Sequence, residues 1–563
     1  MAEYWKSTQR YLATLTGLAS LALPQLARAE HAKPIPHAVR AVPPTHPKGP
    51  APAGSPWTPL TNPPKFLVNG ASNPILLTDG SVLVQDTGFP DWWKLTPDEH
   101  GSYVNGTWTQ VASLPPTYSP LYHSSAVLAD GRLIIEGGEY LLNADQTALI
   151  PTWTPQGSIY DPTLDVWTPV APPPFFTGFD PGTQTIGDAQ GVVLANGTYM
   201  QANCCKREAA LLDSTTLTWT PTGAGKFDEY DEEGWTLLPS GKLLTTDAYG
   251  DAYDPTGTNS EIYDPATGAW TSAGSTLVQL WDSAAECGGR DARSAEVGPS
   301  VLRPDGTVFF VGGNSCGAGH TAIFDSATGK WTAGPDLPDA LDSADAPAAL
   351  EPNGKVLVMA SPGIFNAPSA FFEWDGEALV EVPGPPNAPV DSSFEGNMLV
   401  LPTGQILFAD FSNDIEIYTP AAAEHTTLTS IQPIVTAIGG DIVVSEPKID
   451  GDEASVISRV TLLTKGNTYP IAGIRFNGVS QGAAYGDDIQ AATNYPLVRI
   501  TNTQTGHVFY GRTHDHSSMA VASQNPVATF FDVSKLQEPG PSILEVVANG
   551  IASRPVKVLI KNP

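Results

Sequence analysis

Carboxylates and one histidine recur at a similar distance before a glycine turn along this sequence. Counting back eight to ten residues from seven turn glycines gives Ala71-Ser72, Tyr122-His123, Asp188, Glu232-Glu233, Glu296, Asp345 and Glu395. Two carboxylates about 4 Å apart repel each other by roughly 1 to 4 kcal/mol at the effective dielectric constants of a protein surface. Such a set, if the fold brings it together, must hold protons, water, a metal ion or a cationic ligand.

These side chains predict a divalent metal centre. The expected ligands are His123, Asp188, Glu232, Glu296, Asp345 and Glu395, joined by His514 or His516 from later in the chain. An oxygen-rich set favours calcium, magnesium or manganese, whereas added imidazoles admit iron or copper. The expected catalytic residues are Tyr122, His123, Glu296 and Glu395. Their chemistry would be oxidation, or lyase-type proton abstraction by a carboxylate beside a Lewis-acid metal.

Three of the ten histidines fall within ten residues of each other near the C terminus, in GHVFYGRTHDHSSM. His514 and His516 flank Asp515. In an extended strand, alternate side chains share one face, and this spacing suits chelation of one metal ion. The third histidine is His507. A surface location without any metal is the alternative interpretation of this segment.

The elements that must position the predicted site repeat seven times. Each repeat has an apolar run, a turn with glycine and a second apolar run, as in ILLTDGSVLVQD around Gly80 and AVLADGRLIIEGG around Gly131. Asp-Gly or Asn-Gly between short apolar strands is typical of a tight β-hairpin. A second phrase, as in IYDPTLDVW ending at Trp167, follows most hairpins. Four strands in about fifty residues predict a kelch-type β-propeller blade.

The predicted fold class is all-β, a seven-bladed kelch-type β-propeller over about 56–420 followed by an immunoglobulin-like β-sandwich over 421–563. A single four-stranded sheet cannot bury both faces, whereas seven sheets packed in a ring bury them all. The first strand of each blade is innermost in a propeller, so we expect the predicted site residues to ring the mouth of the central channel. The second strands end at the same face, at Asp86, Glu139, Asp247 and Asp410, with Asn203 and Asn314. Loop-end acids that cap backbone N–H groups or face solvent are the alternative.

The N-terminal residues predict export to a secreted, periplasmic or extracellular location. Lys6 and Arg10 precede an apolar stretch, and Ala27-Arg28-Ala29 has the small-x-small pattern of a cleavage site. Residues 1–29 are therefore expected to be a signal peptide. The proline-rich residues 30–55 are expected to be an extended linker. No later stretch is apolar for long enough to cross a bilayer.

The cysteines and the charge limit the possible partners. In an oxidising compartment disulfides are the default, and Cys287 with Cys316 is the simplest pair. Cys204 and Cys205 are then an adjacent-residue disulfide or two thiols, and a four-cysteine zinc site lacks CxxC spacing. The 59 acidic against 28 basic residues give a formal charge of −31, which repels nucleic acids and anionic lipid surfaces. We expect a monomer that takes a small-molecule or carbohydrate ligand.

The predicted architecture resembles the galactose oxidase and glyoxal oxidase family of secreted copper-radical enzymes. Tyr122, in YHSSAVLADGRL, matches the tyrosine that this family cross-links to a cysteine. The resemblance implies that a loop of the terminal domain brings His507, His514 or His516 into the channel. The terminal run SQGAAYGDDIQAATNYPLVRITNTQTGHVFYGRTHDHSSM also looks like a run shared by exported bacterial kelch-repeat proteins.

Two positions depart from the copper-radical pattern. The first blade has Ala71-Ser72-Asn73 and no cysteine, and the late Tyr-His pair is replaced by Phe394-Glu395 in SSFEGNMLVLPTG. The thioether-linked radical therefore cannot form, and a different, carboxylate-rich site is expected on the shared scaffold. A second interpretation stays open, in which the protein is a non-catalytic propeller that binds a carbohydrate or a protein and holds at most structural calcium.

Overall fold

The computed structural model describes residues 54–230, 232–248, 257–282, 296–314, 317–423, 425–444, 459–486 and 491–563. The predicted signal peptide and all but the last two residues of the predicted linker lie outside these ranges, as do Cys287 and Cys316. The described helices are α1 (His425–Ile431) and two 3-10 turns, Pro338–Ala340 and Ser393–Glu395. The predicted all-β class is confirmed.

Seven antiparallel sheets form the seven blades; six have four strands, and the four-stranded sheet of blade 6 is extended by a fifth strand from later in the chain. The chain begins with β1 (Trp57–Pro59), which belongs to the last blade. Blade 1 contains β2 (Ala71–Leu76), β3 (Val82–Asp86), β4 (Trp92–Thr96) and β5 (Thr107–Gln110). Blade 2 contains β6 (Ser124–Val127), β7 (Leu133–Glu136), β10 (Gly157–Asp161) and β11 (Val166–Val170), with an inserted hairpin of β8 (Tyr140–Leu142) and β9 (Leu149–Pro151). Blade 3 contains β12 (Gly191–Val193), β13 (Tyr199–Ala202), β14 (Ala209–Asp213) and β15 (Thr218–Thr222).

The remaining blades follow the same plan. Blade 4 contains β16 (Thr236–Leu237), β17 (Leu243–Thr246), β18 (Asn259–Asp264) and β19 (Ala269–Ser275), and the pair β20 (Trp281–Asp282) and β21 (Glu296–Val297) follows it. Blade 5 contains β22 (Ser300–Leu302), β23 (Thr307–Val311), β24 (Thr321–Asp325) and β25 (Lys330–Ala333). Blade 6 contains β26 (Ala348–Leu350), β27 (Val356–Ala360), β28 (Ala370–Trp374) and β29 (Leu379–Val382). Blade 7 contains β30 (Asn397–Val400), β31 (Ile406–Ala409) and β32 (Glu416–Tyr418), completed by β1.

The first strands line the centre of the ring, because they contact one another from blade to blade: β6 with β12, β16 with β22, β22 with β26, β26 with β30, and β30 with β2. The predicted hairpin turns join the first and second strands, and Gly80 and Gly131 adopt φ of 78° and 84° there. A side chain would strain both positions. We call the face that carries these turns the lower face, and the face where the inner strands begin the upper face.

The N-terminal strand closes the ring. Trp57 of β1 pairs with Tyr418 of β32, so the first described strand supplies the outermost strand of the last blade. The Trp57 ring packs 4.9 to 5.5 Å from the rings of Phe371, Phe408 and Tyr418, and it is buried. The sequence repeat showed only three strands for blade 7, and the structure supplies the fourth from about 340 residues earlier in the chain.

Aromatic side chains fill the spaces between the blades, as the repeated tryptophan predicts. The Trp167 ring of blade 2 lies 5.6 Å from the Trp92 ring of blade 1. The Trp374 ring of blade 6 stacks at 4.6 Å on Phe309 of blade 5. Trp331 of blade 5 donates its Nε1–H to Ser260 Oγ of blade 4 at 3.0 Å. These tryptophans therefore form the packed core between the sheets.

The chain after blade 7 forms a second β unit, the terminal unit. Its strands are β33 (Ile434–Ile438), β34 (Asp441–Val444), β35 (Arg459–Thr464), β36 (Thr468–Ile474), β38 (Leu497–Asn502), β39 (Val508–His514), β40 (Val527–Asp532), β41 (Gly540–Ala548), β42 (Ile551–Ala552) and β43 (Val556–Lys561). They hydrogen-bond in the order β33-β36-β40-β39-β38-β41-β43-β35-β34 around a core of their own. The immunoglobulin-like assignment of this unit and the domain boundaries stay predictions.

One segment leaves the terminal unit and enters the propeller channel. Its strand β37 (Ala483–Ala484) pairs with the inner strand β26 of blade 6. The Leu237 N–H of blade 4 donates to Gln481 Oε1 at 2.7 Å, and the Tyr485 hydroxyl donates to Phe394 O at 2.8 Å. Tyr495, on the return path, donates to Leu76 O of blade 1. We call the described residues 479–486 and 491–495 the channel loop.

Candidate functional site at the upper face

The residues expected to ring the channel mouth lie close to where the inner strands begin, and hydrogen bonds cross between neighbouring blades at this level. The Asn73 N–H donates to Asn397 Oδ1 at 2.9 Å, between blades 1 and 7. The Asp345 N–H donates to Val297 O at 2.8 Å, between the approaches to blades 6 and 5. The five predicted acids are each 1% to 8% exposed: Asp188, Glu232, Glu296, Asp345 and Glu395.

Left-handed backbone recurs at this level. The φ angle is 52° at Tyr122, 54° at Glu232 and 52° at Asp345. Few non-glycine residues adopt such angles. Because the same conformation precedes the inner strands of blades 2, 4 and 6, we attribute it to the way the chain turns into an inner strand. It fixes the predicted site residues in position without by itself implying chemistry.

Among the described residues, the groups with metal-ligand spacing do not include the predicted ring ligands. Two groups of three His, Cys, Asp or Glu side chains among the described residues offer ligand atoms within 4.8 Å of one another: Asp228, Asp247 and Glu261, and Glu99, His100 and His507. The predicted ring residues belong to neither group. Gly486 of the channel loop lies against Gly234, Val297 and Asp345, so the loop stands between the blades that carry the acids. Metal binding by the ring stays a prediction.

Tyr122 and His123 are both buried. The Tyr122 ring packs against Tyr140 at 6.0 Å and Phe411 at 6.4 Å. His123 Nε2 lies 2.9 Å from Asn73 Nδ2. An amide nitrogen only donates, so Nε2 accepts and Nδ1 carries the proton. Burial lowers the pKa of His123 to about 3, so the imidazole is neutral at physiological pH.

Glu395 lies in a group of four buried acids completed by Asp391, Asp410 and Asp414. Burial raises the pKa of Glu395 to about 7, although the Ser392 N–H donates to its Oε2 at 2.9 Å. Burial and the charge of Asp410 raise the pKa of Asp391 to about 11, so Asp391 keeps its proton and donates it to Asp410. Asp391 Oδ2 has no hydrogen-bond partner among the described residues. These acids therefore include carboxyl groups that hold protons at neutral pH.

A similar pair stands beside Glu296. Asp282 lies opposite Glu296 in the β20–β21 ladder. Burial, and then the charge of Asp282, raise the pKa of Asp342 to about 7. Asp342 accepts backbone N–H bonds from Asn314 at 2.8 Å and Ala344 at 2.7 Å. The Asp342 carboxylate therefore caps backbone N–H groups of the loops and also lies beside a second acid, Asp282.

Sequence reasoning missed the most strongly charged group of this face. Lys226 is fully buried, and its Nζ contacts Asp228, Glu233 at 2.6 Å, Glu261 at 2.6 Å and Asp247 at 3.5 Å. Burial lowers the Lys226 pKa, but the four acids outweigh this effect and the net pKa is raised. Burial raises the pKa of Asp247 to about 7. The lysine ammonium occupies the centre of a carboxylate set that otherwise suits a metal ion. The sequence pattern indicated only two acids of this group. Glu233 was indicated by its distance before a turn glycine, and Asp247 by its place at the end of a second strand.

Asp86 caps backbone N–H groups, as the alternative interpretation of the acids predicts. Its Oδ2 and Oδ1 accept the N–H groups of Val68 and Asn69 at 2.9 and 2.8 Å. Burial raises the pKa of Asp86 to about 6 despite these bonds. The side chain thus holds the loop that precedes blade 1, which is a structural role.

His514 and His516 lie at the lower face, away from the ring. The His516 N–H donates to Ala129 O, in the hairpin turn of blade 2, at 2.8 Å. Ala129 follows His123 by six residues, which is about 20 Å along an extended strand. His514 pairs with Asp515 at 2.7 Å and with Asp532 at 3.4 Å. The expectation that these histidines join the ring is not met by the structure, because the channel loop enters the propeller in their place.

His516 is buried, with Nδ1 2.8 Å from Thr529 Oγ1 and its ring stacked on Tyr495. Burial, followed by the charge of His514, lowers the pKa of His516 to about 3. His507 lies at the edge of the terminal unit and faces blade 1. Cys204 and Cys205 form an adjacent-residue disulfide. The predicted Cys287–Cys316 pair lies outside the described residues.

Comparisons with known proteins show a limited similarity. No protein-family model matches the chain. The kelch-like protein terF of Aspergillus terreus is 30% identical over 141 residues, which cover 24% of this chain and 26% of that protein. The chain thus matches about a quarter of that relative's length. The match agrees with the kelch-type repeat predicted from the sequence.

Two solved structures are similar over large parts of their chains. A fungal alcohol oxidase of the AA5 family in complex with copper is 12% identical, with a TM-score of 0.43, over 90% of this chain and 99% of its own. A streptogramin B lyase is 11% identical, with a TM-score of 0.41, over 64% of this chain and 96% of its own. At these identities neither protein assigns an activity to this chain. None of the described helices is long and apolar enough to cross a membrane.

Proposed function

We propose that this protein is an exported metal-dependent enzyme of the oxidoreductase or lyase class, with its site at the upper face of the propeller. The observation that supports the proposal is the buried acid group of Asp391, Glu395, Asp410 and Asp414. A carboxyl group whose pKa lies near 7, as for Glu395, can both take up and release a proton at neutral pH. Glu395 is the proposed general base or acid.

The same group offers donors of the type that a divalent cation takes, although it is not one of the described groups with three ligand atoms within 4.8 Å of one another. All of its donors are carboxylate oxygens, which calcium, magnesium and manganese prefer. Asp391 Oδ2 is buried without a partner among the described residues, and the proton between Asp391 and Asp410 is one that a cation would displace. Asp391 and Asp410 are the proposed ligands, and the cation would supply Lewis acidity beside Glu395. A small neutral polar molecule, such as a carbohydrate, is the substrate class that the negative charge of the chain admits.

A second candidate function is a non-catalytic binding propeller. The Lys226 group favours it, because Asp228, Asp247 and Glu261, which have metal-ligand spacing among the described residues, already surround an ammonium group. In this alternative the acids stabilise the loops and recognise the hydroxyl groups of a sugar or a basic partner. Calcium, where bound, would raise the melting temperature without any turnover.

Metal analysis of the purified full-length protein separates the two candidates. The enzyme proposal expects one tightly bound divalent metal per chain, and at least tenfold weaker metal binding after Glu395→Gln together with Asp391→Asn. Glu381→Gln is the matched control, because Glu381 is exposed on the outer strand of blade 6. A metal-free wild-type protein whose melting temperature does not change in EDTA would contradict the proposal and leave the binding propeller.

A further inference from the structure

A second group of potential metal ligands joins the propeller to the terminal unit at the lower face. Glu99 and His100 lie in the turn between β4 and β5 of blade 1, and His507 lies in the turn between β38 and β39. One ligand atom from each of the three side chains lies within 4.8 Å of the others. The Val508 N–H donates to Glu99 O at 2.8 Å, which fixes the two turns against each other.

His507 has the arrangement of a metal-binding imidazole. Its Nδ1 lies 2.8 Å from Glu538 Oε1, and its Nε2 lies 3.6 Å from Glu99 Oε2. Glu538 is itself held, because the Thr505 hydroxyl donates to its other oxygen at 2.6 Å. A carboxylate that accepts a hydrogen bond from Nδ1–H leaves the Nε2 lone pair to face a metal, and a carboxylate, a backbone carbonyl or a water orients most metal-bound histidines in this way.

The other two side chains complete the donor set. His100 Nε2 lies 3.9 Å from Glu99 Oε1, and the His100 and His507 rings are 5.6 Å apart. The side chains of His100 and Glu99 are 62% and 66% exposed, so an ion can reach them from solvent. Two imidazoles and one carboxylate form a ligand set that zinc takes up with a water in the fourth position.

We propose that Glu99, His100 and His507 bind a zinc-class divalent transition metal that clamps the terminal unit to blade 1, with Glu538 as the positioning residue for His507. The ligands come from turns about 400 residues apart in the chain, so the metal would link the two units. Surface ion pairs alone stabilise such a contact only weakly. The clamp is separate from the upper-face site and does not depend on its activity.

The test is zinc binding to the metal-free full-length protein, measured by titration calorimetry and by cobalt(II) absorption. Wild-type protein should bind one more zinc ion than the His100→Ala or His507→Ala variant, and cobalt should give the visible bands of a tetrahedral site. Zinc should raise the melting temperature of the wild type by more than that of either variant. Glu538→Gln should weaken binding by about 10- to 100-fold, because the tautomer of His507 is no longer fixed.

His320→Ala is the matched control. His320 is a surface histidine paired with Asp336 at 2.7 Å, outside the proposed clamp, and the variant should bind as much zinc as the wild type. All variants are first compared in EDTA to establish that they fold. Equal zinc stoichiometry in the wild type, His100→Ala and His507→Ala would overturn the proposal and identify the group as ion pairs only.

Discussion

The two faces of the propeller hold their acids in opposite ways. At the upper face Glu395, Asp391 and Asp342 are buried beside other acids, and their pKa values are raised to about 7, 11 and 7. In the terminal unit, which packs on the lower face, Asp532 is half-buried; burial raises its pKa, but Thr468, Arg512 and His514 outweigh that effect and lower it. The upper face therefore includes acids that hold protons, whereas Asp532 beside the lower face is an ionised acid next to Arg512.

This contrast has a functional meaning. Carboxyl groups that keep protons at neutral pH are costly to the folded state unless a cation or a reaction makes use of them. At the lower face Glu99 of blade 1 lies 3.6 Å from His507 of the terminal unit, so an acid takes part in the contact between the two units there. The upper face is thus the better candidate for chemistry and the lower face for assembly.

The largest expected effect on stability concerns Lys226, the buried lysine whose ammonium group contacts the upper-face acids described above. Lys226→Met leaves Asp228, Glu233 and Glu261 without their ammonium partner and should lower the free energy of unfolding by about 3 to 5 kcal/mol. Lys242→Met is the control, because Lys242 pairs with Asp264 at 3.0 Å with its side chain 40% exposed. It should cost at most about 1 kcal/mol. Equal losses in urea unfolding would show that the Lys226 group is not a buried charge network.

The pH dependence of stability should differ in sign between the two faces. The folded pKa of Glu395, about 7, lies above its ordinary value of 4.5, so the folded state holds a proton that the unfolded state has lost. Its contribution to stability is present below about pH 4.5 and is lost as the pH rises to about 7. Glu395→Gln should flatten this part of the profile, since glutamine still accepts the Ser392 N–H. Urea unfolding at several pH values measures this profile. If the free energy of unfolding of Glu395→Gln falls between pH 4.5 and pH 7 as steeply as that of the wild type, the prediction is contradicted.

A smaller effect is expected for the contact of the channel loop with blade 7. Tyr485→Phe removes the hydroxyl that donates to Phe394 O at 2.8 Å and should cost about 0.5 to 1.5 kcal/mol. Hydrogen exchange should increase in residues 480–486. Tyr160→Phe, which removes a 2.9 Å bond to Asp165 within blade 2, should leave that exchange unchanged. Exchange that stays at the wild-type level in Tyr485→Phe would mean that the hydroxyl does not hold the loop.

The smallest effect is expected at the lower face. Asp532→Asn removes an acid whose lowered pKa gives stability that is present above about pH 4 and lost at lower pH. The variant should therefore lose a small amount of stability at pH 7 and less at pH 3. Melting temperatures at the two pH values measure this difference. A loss that is larger at pH 3 than at pH 7 would reverse the proposed contrast.

The sequence determined the repeat and therefore the architecture. Gly80 and its six counterparts mark hairpins whose period is local in the chain, and the all-β class and the seven blades follow from that period. Counting back from the same glycines also found Glu395, Asp345 and Glu296, each of which lies within about four residues of the first residue of an inner strand. The residues of each turn and the length of each strand fix these positions, and both are local in the sequence. The positions can therefore be predicted without knowing which distant segments meet.

Only the tertiary structure decided which distant segments meet. The ring closes through Trp57, Lys226 neutralises acids of blade 4, and the channel loop rather than His514 enters the propeller. Each of these contacts joins residues whose separation along the chain is unrelated to the period of the repeat. The hydrophobic pattern therefore does not predict these contacts. Burial, which raises or lowers each pKa, is likewise a property of the closed ring. The types of the reactive residues can therefore be read from the sequence, but their charge states and partners depend on the fold.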